Sequence, residues 1–74
     1  MVGLLDGILY SSINVAVEKR FENAKYLLLL VNNGGIIKKK EYASESARNT
    51  AFNNIKSALT STSSNFIDFD TLLA

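Results

Sequence analysis

Few side chains in this sequence could do chemistry, and their spacing suits it poorly. Lys56 stands beside Ser57, a pairing that can activate a serine, but the strand-turn-helix setting and the third orienting group that nucleophile activation requires are missing around it. Asp68 and Asp70 offer two carboxylates, short of a calcium site without further ligands or a Gly-bearing loop. Gly34-Gly35 lacks both the Lys-Ser/Thr of a phosphate loop and the strand before a dinucleotide turn, so it reads as a turn. The 74 residues contain no His and no Cys, which removes the commonest bases, thiol nucleophiles and zinc ligands together. A non-enzymatic chain with no catalytic, cofactor or metal residues is the expectation. The remaining cluster is Lys38-Lys39-Lys40, which reads either as a solvated segment or as a phosphate contact. A nucleic-acid-binding regulator would need Lys38, Lys39, Lys40, Arg48 and Lys56 on one face.

Composition narrows the classes further. A chain of this length forms one domain over 1–74 and buries a modest fraction of its surface, so it ordinarily needs a staple. Disulfides are excluded and zinc is disfavoured, which leaves oligomerisation or a partner surface. Eight basic residues against seven acidic ones give a net charge of +1, too little for a bulk field that draws in nucleic acid or anionic lipid. The opening Met1-Val2-Gly3-Leu4-Leu5-Asp6 has no basic region and Asp6 interrupts its apolar run, so no secretory signal is expected. Tyr26 to Val31 is the longest apolar run, far below the roughly 20 residues of a membrane span. A cytoplasmic or virion location follows as an expectation. The abundance of Asn, Ile, Lys, Phe and Tyr is typical of AT-rich genomes, phage and virus among them.

The elements that would position these residues are read from periodicity. Leu5, Leu9, Ile13, Ala16, Val17, Phe21, Ala24, Leu28 and Val31 recur mostly every three or four residues, which predicts one amphipathic helix over 4–31, about 42 Å long. Asn32-Asn33-Gly34-Gly35 supplies residues that tolerate positive φ and would end it in a turn. A second helix is expected from near Glu41 or Ser44 to about Ser61, with Ala43, Ala47, Ala51, Ile55 and Ala58 inward. Alanines four apart would leave a shallow groove. The polar stretch 60–65 reads as a linker in which Ser64 or Asn65 caps the next element, and 66–74 as a docking segment that folds back or engages a neighbour. The fold class is therefore expected to be all-α, a helical hairpin. The competing reading is α+β, because Asn33-Gly34 is also a strong type I′ hairpin signal, here between Tyr26-Val31 and Ile36-Tyr42. The unbranched run Leu27-Leu28-Leu29-Leu30 and the unbroken helical phase favour the helix.

Two short stretches resemble known types. Lys40 to Lys56 is faintly similar to a helix-turn-helix DNA reader, but Ala47 stands for the usual Gly and Arg48 for an apolar residue. Gly3-Leu4-Leu5-Asp6-Gly7-Ile8-Leu9 is similar to the amphipathic starts of host-defence peptides and of some phage ejection proteins. That resemblance implies an interfacial membrane role, which a polar face poor in lysine disfavours.

Burial decides the expected function. On a helix, Leu27 to Val31 would point all round the axis and need enclosure from several sides, at about 1.5–3 kcal/mol for each side chain left in water. The expectation is a small helical subunit of a larger assembly, a homo-oligomer or a virion or phage component. Its contact residues would be Leu27, Leu29, Leu30, Phe66, Ile67, Phe69, Leu72 and Leu73.

Overall fold

Three tight reversals govern the first forty residues. The computed structural model describes residues 2–32, 34–61 and 65–74. Asp6 and Gly7, with φ of 53° and 74°, join β1 (Val2–Leu5) to β2 (Ile8–Tyr10). Asn23 and Ala24, with φ of 52° and 59°, join β3 (Ala16–Glu22) to β4 (Lys25–Asn32). The third reversal carries Gly34 at φ 83° and leads into β5 (Gly35–Tyr42); Asn33, expected in the same turn, lies outside the described residues. The paired positive φ values of the first two turns match the twist of antiparallel strands, so each sets up a hairpin, and β4 and β5 pair antiparallel across the third.

This overturns the all-α helical hairpin, including the 4–31 helix, and agrees with the α+β alternative. The physical reason lies in Leu27–Leu30. In a strand, successive side chains alternate between faces. Leu28 and Leu30 enter the main core, while Leu27 and Leu29 lie on the opposite face; all four are 1–3% exposed. A strand with both faces covered accepts a continuous apolar run, and the central position between β3 and β5 pairs its backbone on both sides. The enclosure that a helix would seek from a second chain is thus supplied by this one. On the outer face, register places Glu18 and Lys39 beside Leu29, and Arg20 and Glu41 beside Leu27. Arg20 binds Glu18 at 2.7 Å and Glu22 at 3.1 Å, and Lys25 approaches Glu41 at 3.6 Å, which folds their aliphatic stems over the two leucines.

Ala24 is the strained member of its turn, because a Cβ in the left-handed region costs about 1–2 kcal/mol. Ala24→Gly is expected to raise stability by about 1 kcal/mol, after allowing for the greater chain entropy of glycine. An unchanged or lower midpoint in urea unfolding would count against that account.

The second helix, α1 (Glu45–Thr60), begins at Ser44, whose Oγ accepts from the Ala47 N–H at 3.1 Å, and ends at Ser61 in extended backbone. Arg48, Ala51 and Ile55, three and four apart, form its buried stripe, whereas Ala43 and Ala47, expected inward, are exposed. Residues 62–64, including the proposed cap Ser64, lie outside the described residues. The segment 66–74 splits into β6 (Phe66–Asp68) and α2 (Phe69–Leu73), and Asp68 caps the latter through the Thr71 N–H at 3.1 Å. It docks on its own chain.

Among the described residues two three-stranded sheets result, ordered β2-β1-β6 and β3-β4-β5. In the first, β1 pairs antiparallel with β2 and parallel with β6. One core joins the inner face of that sheet to α1, α2 and the helix side of the second, through Leu5, Ile13, Leu30, Ile55, Ile67 and Phe69. Gly3 makes this possible: a Cβ there would sit 2.9 Å from Ile13 Cγ2 and 3.0 Å from Phe69 Cε2, too close for both to stay. A carboxylate fastens the first hairpin to the C-terminal segment. Asp70 Oδ1 accepts from the Asp6 N–H at 2.6 Å and Oδ2 from the Gly7 N–H at 3.0 Å, while Asp6 itself binds Lys38 at 2.7 Å.

Candidate interaction surface

The outward side of the β2-β1-β6 sheet is built from a two-residue alternation. Val2↔Phe66, Leu4↔Leu9 and Leu4↔Asp68 are cross-strand partners, so these side chains share the face opposite to buried Gly3, Leu5 and Ile67. Leu9 is 64% exposed and Phe66 48%, with Leu4 half-buried between their strands. Ile8 faces inward by register but sits at the sheet edge and is 55% exposed. A soluble surface scatters single apolar side chains without meaning, but a contiguous apolar face marks a contact site. Asp68 is its one charged member, and that carboxylate is turned to the N–H and hydroxyl of Thr71.

The residues expected at an interface are distributed differently. Leu30, Ile67, Phe69 and Leu73 come together in the core, and Leu27 and Leu29 lie under the charged stems of the other sheet. Of the eight, Phe66 reaches the apolar face and Leu72 the wall of a groove. Leu4, Ile8 and Leu9 were missed as surface residues. Their signal was Asp6-Gly7, a hairpin dipeptide of the same kind as Asn33-Gly34, flanked by short apolar runs.

The lysines do not gather. Lys38 is engaged by Asp6, Lys39 shares the outer face with Leu29, and Lys40 lies on the helix side beside Leu28. Arg48 is 8% exposed: its Nη1 donates to the Arg20 carbonyl at 3.2 Å, and its guanidinium lies 5.4 Å from the Tyr26 ring centroid. Lys19 sits 4.7 Å from the Phe52 ring centroid, and Lys56 is exposed on α1. No helix among the described residues is long and apolar enough to cross a membrane.

The groove, of about 540 Å³, runs between the end of β5, the first half of α1 and α2, with Ala43, Ala47 and Ala51 along it and Lys40 at its rim. The alanine spacing leaves this hollow because α2 approaches α1 there without a large side chain to fill the gap. Tyr42 closes one side, its hydroxyl donating to the Leu73 carbonyl at 3.0 Å. Burial raises the Tyr42 phenol above its ordinary value of 10.0. The folded state therefore holds the proton longer than the unfolded chain does. The corresponding stability is complete below pH 10 and is lost as pH rises through the folded value. Tyr42→Phe is expected to cost about 0.5–1.5 kcal/mol at neutral pH through the lost hydrogen bond. The variant should also show a shallower stability loss above pH 10 in denaturant titrations; equal alkaline slopes would contradict it.

Comparison with protein-family models, curated proteins and solved structures gives no match to this chain.

Proposed function

We propose that this chain is a non-enzymatic protein-binding subunit whose contact surface is the outer face of the β2-β1-β6 sheet. The supporting observation is the contiguous apolar face of Leu4, Leu9 and Phe66, two of them about half exposed or more. The residue inventory, with neither His nor Cys, supports a binding role over a catalytic one. Covering this face returns to apolar surroundings the side chains that a 74-residue core cannot enclose.

A photo-reactive phenylalanine analogue at position 9 tests the reading in cells, with the same analogue at the exposed α1 position Asn53 as control. Protein adducts at position 9 and few at position 53 are expected. Equal labelling at both positions, or none at position 9, would remove this face as the contact surface.

A further inference from the structure

We infer that the partner at this surface includes a second copy of the chain, joined by antiparallel pairing of β2 with β2 about a two-fold axis at Leu9. The inference rests on the binding role proposed above and names its occupant. The hydrogen-bond phase of β2 comes first. Its turn has two residues and closes on Leu5↔Ile8, so Leu5 and Ile8 exchange hydrogen bonds, Leu4↔Leu9 is a non-bonded pair, and Gly3↔Tyr10 is bonded again. The N–H and C=O of Leu9 therefore point away from β1, out of the sheet edge.

Charge then separates this edge from the others. Of the four sheet edges among the described residues, β3 carries Glu18, Lys19, Arg20 and Glu22, and Arg48 already occupies the Arg20 carbonyl. The β5 edge carries Lys38, Lys39, Lys40 and Glu41, and β6 ends in Asp68. Charges of this kind are how sheets prevent edge-to-edge pairing. The β2 sequence, Ile8-Leu9-Tyr10, has none, and it has no proline. Set against itself it meets no like charge, whereas the lysine run of β5 against a second β5 would repel.

Side chains agree with the backbone. With Leu9 opposite the partner's Leu9, each N–H donates to the other C=O, and the two leucines meet on the outer face flanked by Leu4 of each copy. Ile8 falls opposite the partner's Tyr10 on the inner side. This arrangement covers the hairpin's two exposed large apolar side chains, Ile8 and Leu9, and Tyr10 already packs toward the core. A continuous six-stranded sheet, β6-β1-β2-β2-β1-β6, results, with the closed two-fold symmetry that most homodimers have.

Size-exclusion chromatography with light scattering on the full chain over a hundredfold concentration range gives the test. A mass near twice 8.1 kDa at high concentration, falling toward 8.1 kDa on dilution, is expected. Leu9→Pro deletes a donor that β1 does not use, at an edge position where proline is tolerated, and should stay monomeric with unchanged circular dichroism. Leu9→Lys keeps the donor and places like charges on the axis. It should be monomeric at low salt even if the proline variant misfolds. Ile36→Lys, at a 57% exposed site on the other sheet, should dimerise like the parent. Amide exchange at Leu9 should slow with concentration in the parent chain. A parent that is monomeric throughout, a Leu9→Lys dimer equal to the parent, or an Ile36→Lys monomer would each overturn the inference. A monomeric parent that still labels partners from position 9 would leave the binding role standing with another protein as occupant; loss of both results would end both.

Discussion

Replacing Phe69 by alanine is expected to lower the free energy of unfolding by about 3–5 kcal/mol. Phe69 is fully buried, opens α2 directly after β6, and fills the space that Gly3 leaves against Ile13. From the C-terminal helix it packs with the first strand and with the connection after β2. A stability of about 0.05–0.15 kcal/mol per residue gives this chain roughly 4–11 kcal/mol in total, so the variant should lie close to its unfolding threshold at room temperature. Guanidinium unfolding followed by circular dichroism measures the loss. A drop below about 1 kcal/mol would mean that the cavity collapses and that Phe69 does not pin the two sheets together.

The second large effect separates two adjacent leucines. Leu30→Asp puts a carboxylate into the main core, where its cross-strand neighbours are Val17 and a Lys38 already held by Asp6. The lost burial, about 1.5–3 kcal/mol, adds to several kcal/mol for an uncompensated buried charge, and the chain should not fold. Leu29→Asp loses similar apolar burial, yet its carboxylate emerges between Glu18 and Lys39 on the outer face, where water and the lysine can reach it. It should remain folded with stability reduced by about 2–3 kcal/mol. Dispersed amide resonances for Leu29→Asp and collapsed ones for Leu30→Asp are the expected spectra. Equal behaviour of the two would contradict the strand alternation from which the contrast comes.

That same leucine run shows how far the sequence could be read. Four leucines are compatible with a buried helix face and with a strand covered on both sides, and periodicity does not separate the two. The turn chemistry on either side does separate them. Asn33-Gly34 carries that signal openly; Asp6-Gly7 carries it too but coincides with a helical stripe, because Leu5 and Leu9 stand four apart. Asn23-Ala24 could not be found this way, since alanine at φ 59° is not a residue that turn preferences select. Long-range structure was the least legible. Nothing local in Val2-Gly3-Leu4 specifies parallel pairing with Phe66-Ile67-Asp68. The extent of the second helix was legible because its cap is local, but its stripe was only half legible: Ala51 and Ile55 point inward as the spacing implies, while Ala43 and Ala47 line the open groove and Arg48 takes the buried place beside them. The apolar face was hidden for a related reason: until β2 is known to be a strand, Leu9 looks like an inward helical residue.

The pairing of β1 with β6 also orders events in time. The β3-β4-β5 meander and α1 are made from neighbours in sequence and can form early, but the first sheet must wait for residues 66–70, which supply both its third strand and the Asp70 carboxylate that grips the Asp6-Gly7 turn. During synthesis at about 5–20 residues per second, the Val2–Tyr10 hairpin stands without that strand for roughly 3–11 seconds. Over that interval its inner leucine and its uncharged edge are both open, so slower translation is expected to lengthen their exposure to other chains.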